Sequence, residues 1–322
     1  MFTRDEIETA AGLVHGHMAP TPQHAWPLLA ARAGAEVWVK HENHTPTGAF
    51  KVRGGITFVD WLCRTRPEAR GVITATRGNH GQSIARAARA AGLRAVVLVP
   101  HGNSVEKNAA MRGFGAELVE HGQDFDAARE EAARRAEAEG LVFVPPFHRE
   151  LVRGVASYGW ELFSAHPDLD TVYVPIGGGS GICGLIAVRD ALGLATRIVG
   201  VVSEGAPTAQ LSVAAGRPVA TERARTFADG MAVRVPIPEA LAIYAAGAER
   251  IVAVSDAEVA EAIRIYYHDT HNLAEGAGAA PLAALLQERA RIRGRKVAVI
   301  LCGGNIDAAW LLTVMQGGVP FP

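Results

Sequence analysis

Short runs of β-branched and aliphatic residues alternate along the chain with longer Ala-rich stretches in which charges recur at helical spacing. That alternation predicts parallel strands joined by crossover helices, an α/β chain. Val72 to Thr76 reads as a strand, Gln82 to Ala91 as a helix closed by Gly92, Ala95 to Pro100 as the next strand and Val105 to Arg112 as a helix. Ala116 to Glu120, the charged helix Asp124 to Glu139 and Leu141 to Val144 complete a first block. A second block begins near Leu151, with strands at Thr171 to Ile176, Ile198 to Val202, Arg250 to Val254 and Val297 to Leu301. Ser255 is placed to cap the helix after the third of these. No repeat or long linker separates the blocks, so the cleft between them is the default site.

Composition narrows the class. The chain has 322 residues, 49% hydrophobic and 20% charged, which suits a globular protein of two domains or one subdivided domain. With 32 basic and 33 acidic residues there is no global field to attract a polyanion, so a nucleic-acid partner is not expected. Three cysteines, Cys63, Cys183 and Cys302, with no CxxC pair indicate neither a disulfide framework nor a zinc site. The N-terminal residues carry acids where a signal peptide is apolar, and no apolar run approaches the roughly 18 residues of a membrane span. A cytoplasmic protein without a membrane partner is the expectation. Any amine chemistry has only Lys40, Lys51, Lys107 and Lys296 to draw on.

Four glycine-rich or polar segments carry the candidate chemistry. GGGSG, Gly177 to Gly181, lies between a strand and a helix, where inward N–H groups and a helix N-terminus favour a phosphate. Gly179, Gly181 and Gly184 also satisfy G-x-G-x-x-G, with Glu204 placed like a ribose-binding acid, so an NAD-dependent dehydrogenase is a rival reading. In TGAFKVRGG, Thr47 to Gly55, Lys51 stands between Phe50 and Val52. An apolar collar favours a neutral amine, as a Schiff-base lysine requires; the alternative is a surface lysine at a helix start. TRGNHGQ, Thr76 to Gln82, follows a strand, and Asn79 and His80 there are turn formers or ligands. CGGN, Cys302 to Asn305, repeats the strand-then-glycine design, and Cys302 alone reads equally as core packing.

These motifs occur in an order and spacing that resembles the fold-type II pyridoxal-phosphate enzymes, within them the threonine/serine dehydratase and serine racemase group. TFADGMAV, Thr226 to Val233, and LAEGAG, Leu273 to Gly278, extend the resemblance over nearly the whole chain. It implies two open, mostly parallel twisted sheets with helices on both faces, as in the tryptophan synthase β-subunit, with the cofactor in the cleft between domains. Residues 1–50 and 150–322 would form a large cofactor-binding domain and 51–149 a small one.

The resemblance further implies that Lys51 forms the Schiff base with pyridoxal 5'-phosphate and that Phe50 packs near its ring. Asn79 would bond the pyridoxal 3-hydroxyl, Gly177, Gly178, Gly179, Ser180 and Gly181 would cradle the phosphate, and Cys302 would face the pyridine nitrogen. Thr76, Gly78, Asn79 and His80 would hold the substrate carboxylate, with Gly230 and Glu275 lining the site. Ser180 replaces a glycine found in many relatives, and Glu204 is the only carboxylate in VSEGAPTAQ, so no bound metal is expected.

The expected activity is dehydration of a β-hydroxy-α-amino acid to a 2-oxo acid and ammonia, in a homo-oligomer, most simply a dimer. A serine racemase-like activity is the alternative within the family, and a non-catalytic binding protein on the same fold is another. Arg77 stands where serine racemases place a serine; it stays protonated and is expected to steer the carboxylate. In VPPFHRELVRGVAS, Val144 to Ser157, Pro145, Pro146 and Phe147 replace polar groups, which suggests an aryl-serine such as phenylserine as substrate; the alternative places Phe147 in the core. The 15 residues after Asp307 leave room for one helix, so no effector domain and no feedback by isoleucine are expected.

Overall fold

A computed structural model describes residues 1–321 as two sheets with helices on their faces. The strands in chain order are β1 (Gln23–Ala25), β2 (Glu36–His41), β3 (Gly71–Ala75), β4 (Arg94–Val99), β5 (Glu117–Glu120), β6 (Val142–Phe143), β7 (Thr171–Pro175), β8 (Arg197–Ser203), β9 (Arg250–Val254) and β10 (Lys296–Leu301). The larger sheet has the order β1-β2-β10-β7-β8-β9 and the smaller β5-β4-β3-β6. Every pairing is parallel except that of β1 with β2. The interior strands are buried on both faces, which is why they read as unbroken apolar runs.

Strand order locates the site. In the larger sheet the chain moves outward from β7 through β8 to β9 and returns on the other side of β7 with β10. In the smaller it moves outward from β3 to β5 and returns beside β3 with β6. Each sheet therefore has a switch point at which two loops leave their strand ends in opposite directions and open a crevice. At the first, β7 runs into Gly177–Gly181 and β10 into Cys302; at the second, β3 runs into Thr76–His80 and β6 into Pro145–Phe147.

Several boundaries differ from the sequence expectation. The helix expected from Gln82 begins at Asn79, so Asn79 and His80 belong to its first turn. Leu141 to Val144 contributes only Val142–Phe143 to the sheet. Ser255 does cap its helix, in a reciprocal box with Glu258.

Beneath the Lys51–Thr65 helix lies a buried charge cluster. The Arg53 guanidinium, fully enclosed, donates to both oxygens of Glu42 at 2.7 and 2.9 Å and to Glu161 at 2.6 Å. Buried Lys40 on β2 pairs with the same Glu161 and donates to the Thr21 carbonyl at 2.9 Å. Two cations face two carboxylates here, which is how so much charge is held without water.

Candidate active site

The loops of the two switch points open onto one cavity of about 910 Å³, lined by every residue that the family resemblance assigned to the site. Lys51 is the first residue of its helix, and its amine donates to the Ser180 hydroxyl at 2.9 Å. The Phe50 ring centre lies 5.0 Å from that amine and packs edge-on to Tyr158. Enclosure pulls the Lys51 amine down to about 8, with the Cys302 sulfur opposing. Burial, with Glu275 adding to it, holds the Cys302 thiol well above its ordinary range, so it stays neutral.

The Gly177–Gly181 loop is shaped by close backbone approach. A Cβ at Gly177 would overlap the Gly230 carbonyl oxygen, and Gly179 has φ 92°, a left-handed conformation that glycine adopts without strain. The Gly181 carbonyl accepts from the Tyr158 hydroxyl at 2.8 Å. Among the described residues no acceptor faces the N–H groups of Gly177, Gly178 and Gly179, and the helix from Ser180 adds the free N–H groups of its first turn. A ring of unpartnered donors beside a buried hydroxyl and an amine fits a phosphate ester attached to an aldehyde-bearing ring.

Across the cavity, the Thr76 hydroxyl accepts from the N–H groups of Gly78 and Gly81 at 2.9 and 3.4 Å and curls the loop. The His80 ring donates to Thr74 Oγ1 at 3.1 Å, because that hydroxyl's own proton goes to the Val144 carbonyl. Burial and the neighbouring Lys51 push His80 down to about 3, so it is neutral. Asn79 Nδ2 donates to Glu275 Oε1 at 2.6 Å, and Asn79 Oδ1 accepts from Asn305 at 2.8 Å. Burial raises the Glu275 carboxyl above the ordinary range although Lys107 opposes it, and its Oε2 has no hydrogen-bond partner. Arg77 is exposed at the mouth, without an ion pair among the described residues. Phe147 is half-buried; it packs against the core of the larger sheet and also lines the cavity.

Residues that the sequence does not single out complete the site. Buried Lys107 pairs with Asp229, and its amine lies 3.8 Å from Glu275 Oε2. Asp229 and Asp307 are held by the helix that begins at Val105, the latter through the Ser104 hydroxyl at 2.5 Å. Arg234 crosses the mouth to Asp126. Only the scarcity of lysine pointed toward Lys107; its partners Asp229 and Glu275 lie in TFADGMAV and LAEGAG, but nothing local in the sequence pairs them with it.

The model of the family described as pyridoxal-phosphate dependent enzyme matches residues 14–303. The chain belongs to that family. An L-threonine ammonia-lyase of Thermotoga maritima is 32% identical over 320 residues, spanning 99% of this chain and 79% of that protein. Another, of Geobacter sulfurreducens, is 37% identical over 292 residues, 90% of this chain and 72% of that protein. Among solved structures, the processed form of threonine deaminase isoform 2 from Solanum lycopersicum superposes with a TM-score of 0.89 at 28% identity, covering 98% of this chain and 94% of that one. Maize serine racemase does so with a TM-score of 0.89 at 25% identity, covering 98% and 97%.

The chain is thus a pyridoxal-phosphate-dependent enzyme of the ammonia-lyase kind with the fold-type II architecture. The NAD-dependent reading is overturned. Glu204, its ribose acid, is exposed and lies outside the cavity lining. Gly184 has a packing role instead, since a Cβ there would stand 3.1 Å from the Ala156 nitrogen. Among the described residues no helix is long and apolar enough to cross a membrane.

Proposed function

We propose that the protein dehydrates a β-hydroxy-α-amino acid, threonine or serine or an aryl-serine such as phenylserine, to a 2-oxo acid and ammonia. The relatives named as threonine ammonia-lyases support the reaction, and the placement of a neutral-prone Lys51 amine against the Gly177–Gly181 donors is the observation that carries it. Pyridoxal phosphate, when bound, supplies an electron sink for the pair left behind when a Cα–H bond breaks.

In this reading Lys51 would hold the cofactor through its amine, and the N–H groups of Gly177 to Gly181 with the Ser180 hydroxyl would hold the phosphate. The Lys51 amine, when free, would take the proton from the substrate Cα. The loop Thr76, Gly78, Asn79 and His80 would bind the substrate carboxylate through the Thr76 hydroxyl and the unpartnered N–H groups of Asn79 and His80, the Asn79 side-chain amide would face the cofactor's 3-hydroxyl, and Arg77 would attract the carboxylate from the mouth. Cys302, a neutral thiol, would give the pyridine nitrogen no counter-charge to keep it protonated, which would suit a reaction whose leaving hydroxyl carries the electrons away. Loss of Cα–H and Cβ–OH gives an enamine; its tautomer adds water and yields the oxo acid and ammonia, with no net oxidation.

The aryl-serine part of the reading rests on the size of the cavity and on Phe147, Pro145 and Pro146 in its wall. Burying an aryl group there contributes roughly 25 cal/mol per Å² of apolar surface, several times what the methyl of threonine gains. A panel of β-hydroxy amino acids assayed for 2-oxo acid release tests it. Phenylserine is expected to show a higher kcat/KM than threonine, and Phe147→Asp to narrow the gap. Equal or better efficiency with serine and threonine removes the aryl preference and leaves the plain dehydratase.

A further inference from the structure

The hydrogen bonds behind the turn after β10 have one polarity. The Thr47 carbonyl can only accept, and Asn305 Nδ2 donates to it at 2.9 Å. The amide of Asn305 is thereby oriented, and its second N–H goes to Asn79 Oδ1 at 2.8 Å. With its oxygen engaged, Asn79 presents its nitrogen on the other side, to Glu275 Oε1 at 2.6 Å. Two amides whose ends have nearly the same shape are thus set by one backbone carbonyl.

That carbonyl is itself held firmly. The Thr45 hydroxyl accepts from the Ala49 N–H at 2.9 Å and donates to the Ala49 carbonyl at 2.8 Å. Gly48 has φ 67°, and a Cβ there would overlap the Asn305 amide. The N–H of Gly304 reaches the Gly48 carbonyl, and that of Phe50 the Cys302 carbonyl, each at 2.9 Å. The segment leading into Lys51 and the turn ending at Asn305 therefore move as one unit. Asn305 is half-buried and, unlike Asn79 and Glu275, does not line the cavity.

We infer that Asn305 is a positioning residue, which locks the Asn79 amide with its N–H groups toward Glu275 and so ties the orientation of Asn79 to the loop that carries Lys51. The inference rests on the reading that Asn79 faces the bound cofactor. Without Asn305 the Asn79 amide keeps its bond to Glu275 and loses the donor that fixes Oδ1. With Asn305→Asp it is expected to reverse, because the new carboxylate attracts its N–H groups and leaves Oδ1 against Glu275, which only a protonated carboxyl tolerates.

The test is titration of cofactor-free protein with pyridoxal phosphate, following the visible band and, separately, the thermal midpoint without cofactor. The proteins are the unaltered chain, Asn305→Ala, Asn305→Asp, Asn79→Ala and the double alanine variant. Asn305→Ala and Asn305→Asp are expected to weaken binding about tenfold, the scale of a lost buried hydrogen bond, and to shift the band in the direction that Asn79→Ala shifts it. The double variant is expected to bind no more weakly than Asn79→Ala alone, as residues acting in series do. If Asn305→Asp lowers the thermal midpoint, the alanine series decides. Unchanged binding in Asn305→Ala, or additive losses in the double variant, overturns the positioning role while an impaired Asn79→Ala keeps the site reading. Unchanged binding and spectrum in Asn79→Ala overturns the site reading itself.

Discussion

The Lys51 amine donates to the Ser180 hydroxyl across 2.9 Å, and each of the two residues opens its own helix. One helix packs on the smaller sheet's layer and the other follows β7 of the larger sheet. The contact therefore joins the two halves of the molecule at the point where an amine and a phosphate-binding loop must be held together. Ser180→Ala removes that partner and one donor. Its dissociation constant for pyridoxal phosphate is expected to rise about threefold to tenfold, from the roughly 0.5–1.5 kcal/mol of one hydrogen bond. A fluorescence titration of the cofactor-free protein measures this, and an unchanged constant counts against a role for the hydroxyl.

Burial holds the Lys51 amine at about 8 against an ordinary 10.5, and this sets a pH window. The neutral amine is the reactive form, so the rate at which cofactor-free protein captures pyridoxal phosphate is expected to rise through pH 8 and then level. Stability follows the same sign. Between about 8 and 10.5 the unfolded chain binds more protons at this site than the folded one, so the contribution of Lys51 to stability grows as pH rises and is lost as pH falls through the folded value. Capture rates that keep climbing to pH 10.5 would mean an unperturbed amine.

Arg53→Met tests the charge cluster under the same helix. It leaves Glu42 and Glu161 buried with Lys40 as the one buried cation near them, the His15 ring at 2.8 Å from Glu161 and the Thr21 hydroxyl on Glu42. Breaking a buried ion pair on one side costs about 3–5 kcal/mol, so the urea midpoint of the cofactor-free protein is expected to fall steeply. Arg53→Lys keeps the charge but not the two-pronged contact with Glu42 and is expected to fall between. A change under about 1 kcal/mol in Arg53→Met would show that the cluster adds little.

Arg77 is expected to favour elimination over racemisation. Its guanidinium cannot accept a proton, and racemisation needs a second base opposite Lys51. Chiral chromatography of serine incubated with the enzyme is expected to show oxo acid formation with little of the other enantiomer, and Arg77→Ser to raise the racemised fraction. Rapid interconversion by the unaltered enzyme refutes this.

The strands of the smaller sheet and the second half of the chain were legible because parallel strands buried on both faces are short apolar runs between helical ones. The N-terminal strands were not. In β2 the fully buried Lys40 interrupts the apolar pattern, and it is stable there only because Glu161, more than a hundred residues later, comes to meet it. The same limit hid the pairing of Lys107 with Asp229 and of Asn305 with Asn79, which tertiary contact sets and no spacing records. The start of the helix expected at Gln82 was placed three residues late, because Thr76 curls the loop early enough for the helix to begin at Asn79, before its Ala-rich part. The candidate residues, in contrast, lie on glycine-rich turns directly after strands, and a switch-point topology brings such turns together whatever the intervening helices do.

Every role proposed for the cavity depends on Lys51. Purified protein supplied with pyridoxal phosphate, reduced with borohydride and digested for peptide mass measurement tests it most directly. The visible band is expected to vanish on reduction, with a pyridoxyl group on the peptide carrying Lys51 and none on the Lys51→Ala protein, which should stay folded and lose turnover. A label on Lys40, Lys107 or Lys296, no label at all, or a fully active Lys51→Ala protein would contradict it.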